Sequence, residues 1–420
     1  MEVLLNGGAL GGTVEAIASK SHVHRLLICA ALADQKTVIK DSIPSKDILA
    51  TAGCLNDYLA QIEISGADIT VLPYPEPKAK PLLDCTESGS TYRFLIPVAC
   101  AEGMPAVFTG SSRLAERPLS PLYELLCEHG CTLSEQGVFP FSVKGKLEPG
   151  DFLIDGGVSS QFISGLLLAL PLLAGDSRIQ ITGKLQSYPY IKMTLDALQT
   201  FSVKVKEEKR EFYIRGGQRF ISPGSIRAEG DWSNAAFFAV MGAFSSAGIT
   251  IKGLWQDSLQ GDKAILDILA RCGAVIEIRE DAVKVKRGKL KGMEIDAAQI
   301  PDLVPVLAVL ACGAEGKTVI YNAERLRLKE SDRIETVFHM IASLGGDITV
   351  TKDGFIIQGT GSLRGGNVDG ANDHRIVMAA SAASCLCREP VRIHGAEAVE
   401  KSYPCFFEDM KKLGAFLKKI

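Results

Sequence analysis

The sequence contains neither an excess of basic residues nor a long apolar run. Its 420 residues carry a net charge of −3 at pH 7 with both signs interspersed, which argues against a basic face for nucleic acid or membrane. The longest apolar run, 162–174, spans about 13 residues and includes Pro171, whereas a membrane-spanning helix needs about 20. Residues 1–9 lack the cationic and apolar regions of a signal peptide. We therefore expect a cytoplasmic protein that binds neither nucleic acid nor membrane.

Several common catalytic and ligand-binding motifs are also missing. No Gly-x-Ser-x-Gly elbow occurs, so Ser-His-Asp hydrolysis has no support. The glycines within 7–12 lack the spacing of a dinucleotide fingerprint or a P-loop. Eleven cysteines without a disulfide framework indicate free thiols in a reducing compartment. The close pairs 127/131 and 385/387 have no histidine or second cysteine pair at zinc-finger spacing, so no metal site is expected.

The chain does contain an internal repeat. Six times, at a spacing of roughly 70 residues, a small or polar cluster precedes an apolar stretch rich in Ala and Leu. The six stretches are 19–33, 88–101, 159–174, 233–247, 301–314 and 372–387. A β-rich segment follows each of them, and in most units an amphipathic helix such as 332–344 or 404–416 comes next.

This repeat predicts an α/β (α+β) fold of two domains. Each domain contains three repeated βαβαββ-type units, and the apolar helix of each unit is buried. We expect an N-terminal domain at 19–228 and a discontinuous C-terminal domain made of 1–18 plus 229–420, since the first strand segment can pair with the second half. A six-unit solenoid is the alternative, although the short regular period of solenoids is missing.

The apolar helices begin with residues suited to N-capping. These are Ser21, Ser90, Ser159, Ser160, Ser233, Asp302 and Asp373. Helix N-termini attract phosphate and carboxylate because their N–H groups are unpaired and the helix dipole is positive there. Each residue alone is explained by ordinary capping. Cations, however, lie near many of them at the unit junctions: Lys20, Arg25, Arg93, Arg117, Lys329, Arg333, Arg375 and Lys401. The repetition favours an enzyme that binds phosphorylated, anionic substrates in a basic cleft between two domains.

Four ionisable groups accompany these cations: Asp302, Glu330, Asp373 and His374. Carboxylates beside lysine and arginine form ordinary ion pairs on many protein surfaces. In a cationic cleft the same groups act as general acid and base. The sequence leaves both interpretations open.

Ten short motifs, in chain order, resemble those of one known family along essentially the whole chain. They lie at 19–25, 87–93, 116–118, 159–161, 187–190, 229–231, 260–262, 329–333, 372–375 and 401–404. The sequence is therefore identified as a member of the 5-enolpyruvylshikimate-3-phosphate synthase family. The resemblance implies two inside-out α/β barrel domains that close on substrate, with helices inside a ring of sheets. It also implies transfer of the enolpyruvyl group of phosphoenolpyruvate to the 5-hydroxyl of shikimate 3-phosphate, without metal or organic cofactor.

The resemblance assigns two overlapping sets of binding residues. Shikimate 3-phosphate is expected on Lys20, Ser21, Arg25, Ser159, Ser160, Gln161, Ser187, Asp302 and Lys329, with Tyr190 nearby. Phosphoenolpyruvate is expected on Lys20, Gly89, Arg117, Gln161, Arg333, Arg375 and Lys401.

The resemblance also implies catalytic roles. Asp302 is the expected base for the attacking hydroxyl, Glu330 or Lys20 the expected acid–base at the methylene carbon, and His374 belongs to the same catalytic group. The departures from the family pattern are Glu87, Phe94, His22, His24 and Arg325, and Arg325 is left out of the site for that reason. We expect a monomer.

Two rival interpretations stay open. The related transferase that acts on UDP-N-acetylglucosamine shares the repeat fold, but it typically uses a mobile-loop cysteine and lacks the Lys-Ser-x-x-x-Arg pattern of 20–25. Cys127 and Cys131 sit instead in an apparent helix at 121–129. The second rival is a non-catalytic phosphometabolite-binding protein, against which the retained Asp302, Glu330 and His374 argue.

Overall fold

The computed structural model describes every residue from Met1 to Ile420. Its strands are β1 (Glu2–Leu5), β2 (Gly12–Glu15), β3 (Thr37–Lys40), β4 (Ala60–Ser65), β5 (Asp68–Pro73), β6 (Leu82–Asp84), β7 (Ala106–Thr109), β8 (Cys131–Leu133), β9 (Phe141–Gly145), β10 (Asp151–Asp155), β11 (Ser177–Thr182), β12 (Val205–Glu208), β13 (Glu211–Ile214), β14 (Ser225–Arg227), β15 (Ile249–Lys252), β16 (Val275–Ile278), β17 (Ala282–Lys286), β18 (Glu294–Asp296), β19 (Glu315–Tyr321), β20 (Asp347–Thr351), β21 (Gly354–Thr360), β22 (Gly366–Asp369), β23 (Val391–His394) and β24 (Leu417–Lys419).

The helices are α1 (Lys20–Ala31), α2 (Lys46–Asn56), α3 (Gly89–Glu102), α4 (Ser112–Glu116), α5 (Leu122–Glu128), α6 (Ser160–Ala169), α7 (Tyr188–Thr200), α8 (Trp232–Ala243), α9 (Ile265–Cys272), α10 (Val304–Gly313), α11 (Arg333–Ser343), α12 (His374–Ala383) and α13 (Phe406–Lys412). Short 3-10 turns occupy Leu170–Leu172, Gly261–Ala264, Pro301–Leu303, Glu324–Leu328, Ser384–Leu386 and Ala396–Lys401. None of the helices combines the length and the apolar character that a membrane span requires.

The chain forms two compact units, which are described separately. The N-terminal unit is Ala18–Ala228, and the C-terminal unit combines Met1–Ile17 with Glu229–Ile420. Residues 1–17 belong to the C-terminal unit because their strands pair there: β1 lies antiparallel between β23 and β24, and β2 runs parallel to β15. In the N-terminal unit, β14 likewise returns to pair with β3, opposite Val38–Lys40.

Six four-stranded sheets share one pattern. Their strand orders are β14-β3-β5-β4, β6-β7-β9-β8 and β10-β11-β13-β12 in the N-terminal unit, and β2-β15-β17-β16, β18-β19-β21-β20 and β22-β23-β1-β24 in the C-terminal unit. In each sheet the first pair is parallel and the other two pairs are antiparallel. A parallel pair needs a crossover, and within continuous units an apolar helix provides it. The predicted mixed α/β fold is confirmed.

The predicted apolar stretches each contain a buried helix. These central helices are α1, α3 and α6 in the N-terminal unit, and α8, α10 and α12 in the C-terminal unit. Every residue of α8 and of α12 is buried, as expected of a helix that is apolar on all sides. The amphipathic segment 404–416 is shorter than predicted, because α13 ends before Gly414, which adopts a left-handed φ of +96°, and the chain then joins a sheet as β24.

Candidate active site

Most of the predicted site residues lie in or beside the N-terminal turns of the central helices. Side-chain caps are present on five of them: Ser19 for α1, Ser88 for α3, Ser159 for α6, Asp231 for α8 and Asp373 for α12. The predicted caps Ser21, Ser90 and Ser233 are therefore wrong, since each lies inside the first turn, two residues after the true cap. Asp302 and Ser160 are not caps either: Asp302 lies in the 3-10 turn that precedes α10, which no side chain caps, and Ser160 is the first residue of α6.

In the N-terminal unit, Lys20 and Ser21 occupy the first turn of α1. Ser19 caps this helix by accepting a hydrogen bond from the His22 N–H at 3.4 Å. Lys20 Nζ lies 2.7 Å from Oδ2 of Asp47, and both side chains keep a small exposed fraction, 14% and 12%. Asp47 belongs to the first turn of α2, so one carboxylate fixes the position of the Lys20 ammonium.

Gly89 and Arg117 are in close contact. Gly89 is the first residue of α3, and Arg117 directly follows α4 with only 7% of its surface exposed. A Cβ atom on Gly89 would lie 2.7 Å from Nη1 and 3.0 Å from Cζ of Arg117. The absence of a side chain at position 89 therefore lets the guanidinium lie against the N-terminus of α3, where an anion is attracted by both groups.

Gln161 ties α3 to α6. Its Nε2 donates to Ser90 Oγ at 3.0 Å, and its Oε1 accepts from Nη1 of Arg93 at 2.7 Å. Arg93 also donates to the Pro118 carbonyl at 2.8 Å, next to Arg117. These bonds hold the first turns of two central helices in register.

Arg25 is more deeply buried than expected for a residue that contacts substrate. Its Nε donates to Thr194 Oγ1 at 2.8 Å, Nη1 to the Ser21 carbonyl and Nη2 to the Tyr190 carbonyl at 2.9 Å. Its guanidinium also lies over the ring of Phe94, 5.0 Å from the centroid. Burial lowers the pKa of Arg25 to about 10. Arg25 thus joins the first turn of α1 to the start of α7.

The start of α7 carries Ser187 and Tyr190. Ser187 directly precedes the helix in a left-handed conformation (φ +54°) and is 2% exposed. Left-handed backbone is uncommon for a residue with a side chain and is concentrated at functional and turn positions.

In the C-terminal unit, Asp302 is the centre of an ion-pair cluster. Its Oδ1 lies 2.9 Å from Arg333 Nη1 and 3.3 Å from Lys329 Nζ, and its Oδ2 lies 3.2 Å from Arg375 Nη2. Arg375 Nη1 also donates to the Asp302 carbonyl at 3.2 Å. Three cations around one carboxylate favour its ionised form. The cluster joins the turn before α10 to the first turns of α11 and α12.

Arg333 connects this cluster to two further carboxylates. Its Nε lies 2.8 Å from Asp373 Oδ2, and its Nη2 lies 2.8 Å from Glu330 Oε2. Arg333 is 1% exposed, and although burial alone would lower its pKa, these carboxylates raise it. Burial lowers the pKa of Lys329, an effect that the Asp302 carboxylate partly offsets. Arg333 therefore remains charged inside the fold.

Lys401 and His374 lie beside this cluster, at the start of α12. Lys401 Nζ donates to the Asn372 carbonyl at 2.6 Å, directly before α12, and is 8% exposed. His374 is the first residue of α12 and is 1% exposed. The C-terminal unit thus brings together Asp302, Lys329, Glu330, Arg333 and Arg375 by direct ion pairs, with Lys401 and His374 at the start of α12.

Sequence reasoning missed two carboxylates and misplaced one cysteine. Asp47 and Asp262 received no role, although 260–262 was among the matched motifs. The sequence around each aspartate does not indicate its partner, because that partner belongs to another element. Cys131 begins β8 and does not share a helix with Cys127. Cys127 lies exposed on α5, and desolvation together with nearby acidic groups raises the pKa of its thiol, which disfavours the reactive thiolate.

Known proteins match this chain over nearly its whole length. The model of the EPSP synthase (3-phosphoshikimate 1-carboxyvinyltransferase) family matches residues 5–410. A 3-phosphoshikimate 1-carboxyvinyltransferase from Clostridium kluyveri is 44% identical over 415 residues, covering 98% of this chain and 97% of the relative. One from Clostridium acetobutylicum is 42% identical over 419 residues, with coverage of 98% and 97%.

Solved structures resemble the chain over its full length. EPSP synthase from Acinetobacter baumannii superimposes with a TM-score of 0.83 at 27% identity, covering 100% of both chains. The enolpyruvyl transferase NikO from Streptomyces tendae gives a TM-score of 0.79 at 17% identity, covering 99% of this chain and 98% of NikO. At this low identity, the likeness to NikO shows a shared fold only.

The fold and the cationic helix N-termini first define a class, that of transferases with the enolpyruvyl transferase fold. The family match and the full-length relatives then narrow this class. The chain belongs to the EPSP synthase family. The family membership and the transferase class that the sequence motifs predicted are confirmed.

Proposed function

We propose that this protein transfers the enolpyruvyl group of phosphoenolpyruvate to the 5-hydroxyl of shikimate 3-phosphate and releases phosphate. The observation that carries the proposal is the cluster of Lys329, Arg333 and Arg375 around Asp302, in a chain whose relatives are named for this activity. A partly exposed carboxylate among cations supplies a base beside groups that bind anions, which is the combination this reaction needs.

Phosphoenolpyruvate binds, in this proposal, to five cations, one glutamine and one glycine. The N-terminal unit contributes Lys20, Gly89, Arg117 and Gln161, and the C-terminal unit contributes Arg333, Arg375 and Lys401. Arg117 lies against the α3 N-terminus, so a guanidinium and backbone N–H groups act on the same anion. Two anions repel each other, and cations that offset this repulsion and orient the reactants lower the barrier.

The proposed site for shikimate 3-phosphate combines hydroxyl and amide groups at the starts of α1, α6 and α7 with charged side chains. The residues are Lys20, Ser21, Arg25, Ser159, Ser160, Gln161 and Ser187 in the N-terminal unit, and Asp302 and Lys329 in the C-terminal unit. We assign Arg25 to holding Ser21 and Tyr190 in place, because its Nε, Nη1 and Nη2 all donate to protein acceptors.

The chemistry proceeds by addition and elimination. A proton is added to the methylene carbon of phosphoenolpyruvate, and the 5-hydroxyl oxygen attacks the adjacent carbon while Asp302 accepts the hydroxyl proton. The tetrahedral intermediate then loses a methyl proton and breaks its carbon–oxygen bond to phosphate. Glu330 or Lys20 is the proposed acid–base group at the methylene carbon, and His374 assists in the same proton transfers. The arginines stabilise the charge on the departing phosphate.

We further propose that 19–228 and 1–18 with 229–420 are the two enolpyruvyl transferase domains of a cytoplasmic monomer. The eleven cysteines are all free thiols and eight of them are buried, which suits a reducing compartment.

The test measures phosphate release from phosphoenolpyruvate by the purified protein with either of two acceptors. We expect release with shikimate 3-phosphate and background release with UDP-N-acetylglucosamine. Release with the second acceptor alone would assign the protein to the rival transferase. Binding of shikimate 3-phosphate without any release would identify a non-catalytic binding protein.

A further inference from the structure

His24 is a buried imidazole on α1 to which the proposed mechanism gives no role. It is completely buried, and its Nδ1 lies 2.7 Å from Oγ1 of Thr51 on α2. Its Nε2 is buried without a hydrogen-bond partner. Burial, together with the nearby cations Lys20 and Arg25, lowers the pKa of His24 well below its usual value. The ring is therefore neutral and carries one N–H.

A continuous row of hydrogen bonds runs from His24 to the N-terminus of α3. Thr51 Oγ1 lies 2.6 Å from Thr91 Oγ1, and the Thr91 hydroxyl donates to Ser88 Oγ at 2.7 Å. Ser88 is the N-cap of α3 and also accepts from the Thr91 N–H at 3.3 Å. All four residues are completely buried, so water does not compete for these bonds.

The direction of the row follows from the number of protons available. Each hydroxyl has one proton to donate. Thr91 donates its proton to Ser88, so the proton between Thr51 and Thr91 has to come from Thr51. Thr51 then has only lone pairs left for His24, which therefore carries its proton on Nδ1. All three bonds point from α1 through α2 to the cap of α3, and bonds in such a row strengthen one another.

The cap at the end of this row decides which N–H groups of α3 stay open. Ser88 Oγ accepts from the Thr91 N–H, whereas the N–H groups of Gly89 and Ser90 have no acceptor in the protein. N–H groups in a first helical turn point out of the start of the helix. Here they lie beside the Arg117 guanidinium, where the proposed function puts phosphoenolpyruvate.

We propose that His24 is a positioning residue for phosphoenolpyruvate, which acts through Thr51 and Thr91 to hold the cap of α3 and so aim the open N–H groups at this anion. The inference rests on the proposed function, in which phosphoenolpyruvate binds at that helix start. Because the row fixes the first turn before substrate arrives, the bound anion does not have to order it. Shikimate 3-phosphate is assigned no residue of α3, so its binding should depend much less on the row.

The experiment compares His24→Asn with His24→Leu in steady-state phosphate release, with each substrate varied in turn. Asparagine has an N–H donor on the atom next to Cγ, where histidine has Nδ1, and leucine has a methyl group there. Both variants lose the rest of the ring, so they differ mainly in this donor. We expect His24→Leu to raise the KM for phosphoenolpyruvate about three- to tenfold, the factor for one hydrogen bond. His24→Asn should stay within about twofold of the wild type.

Thr51→Val breaks the same row with little change in side-chain volume. It should raise the KM for phosphoenolpyruvate by a similar factor, and adding His24→Leu to it should have little further effect. The KM for shikimate 3-phosphate should change less than about twofold in every variant. A purely structural role would lower stability in urea titrations and would not single out one substrate.

Equal KM values for phosphoenolpyruvate in His24→Asn and His24→Leu would overturn the proposal, and so would equal changes for the two substrates. If His24→Leu does not fold, the two KM values of Thr51→Val decide in the same way. Wild-type protein that releases no phosphate with shikimate 3-phosphate would instead refute the proposed function, and this inference with it.

Discussion

Replacing Gly89 by alanine should weaken phosphoenolpyruvate binding by displacing Arg117. The new Cβ would lie 2.7 Å from Nη1, 3.0 Å from Cζ and 3.1 Å from Nη2 of that residue. All three contacts are with the same guanidinium, so this group has to move away from the α3 N-terminus. Gly89 is at the first position of its helix, where alanine is well tolerated, so the fold should persist.

The magnitude follows from the contact that is lost. A hydrogen bond to a charged group contributes about 1.5 to 3 kcal/mol, and about 1.4 kcal/mol corresponds to a factor of ten in affinity. If the displaced guanidinium loses one such bond to phosphoenolpyruvate, its KM should rise by about 10- to 150-fold. The KM for shikimate 3-phosphate should change much less.

The assay is steady-state phosphate release with phosphoenolpyruvate varied and shikimate 3-phosphate saturating. Gly53→Ala is the matched control, because Gly53 lies within helix α2 of the same unit and a Cβ there meets no atom within 4 Å. The Arg117→Ala background completes a double-mutant cycle. If the methyl group acts by displacing Arg117, adding Gly89→Ala to Arg117→Ala should have little further effect. Equal losses in both backgrounds would refute this reasoning.

Three further predictions concern the C-terminal unit. Arg333→Met should lower the free energy of unfolding by about 3 to 5 kcal/mol in urea titrations, because Asp302 and Asp373 lose a buried partner; a loss below about 1 kcal/mol would contradict the buried ion-pair network. Asp302→Asn should lower kcat by about 10²- to 10⁴-fold with an unchanged circular dichroism spectrum, and near-normal kcat would exclude Asp302 as the base. Burial raises the pKa of Asp262 from 3.8 to about 7, so the folded state holds this proton more tightly and stability falls as pH rises through that window. Asp262→Asn should therefore gain up to about 3 kcal/mol on the wild type between pH 4.5 and pH 8, and parallel stability curves would contradict this shift.

The central helices could be predicted from the sequence because a helix that is buried on all sides requires a continuous stretch of mostly apolar residues. The stretch that became α8 has no polar face, and such a helix has to lie inside. Helix starts were less accurate: Ser21 and Ser90 resemble caps, yet Ser19 and Ser88 make the bonds. Two serines that are two positions apart both satisfy the capping preference, and only backbone conformation separates them.

Contacts between distant elements were beyond local pattern reasoning. The residue that holds Lys20 is Asp47, which lies 27 positions away and has an ordinary place in a helix first turn. The hydroxyl that holds Asp262 belongs to Ser233, 29 positions earlier. The strand β14 pairs with β3 across nearly the whole N-terminal unit. Such pairings depend on packing of the complete unit, and no short window of sequence contains both partners.

Bond cleavage in phosphoenolpyruvate tests the central claim, enolpyruvyl transfer by addition and elimination, most directly. Phosphoenolpyruvate labelled with ¹⁸O at the bridging oxygen is turned over with shikimate 3-phosphate, and the label is located by ³¹P NMR and mass spectrometry. Attack of the 5-hydroxyl on carbon forms the tetrahedral intermediate, and elimination then breaks its carbon–oxygen bond to phosphate. The label should therefore appear in the released phosphate and none in the carboxyvinyl ether. Retention of the label in the organic product, or a second phosphate on the shikimate ring, would show cleavage at phosphorus and contradict the mechanism.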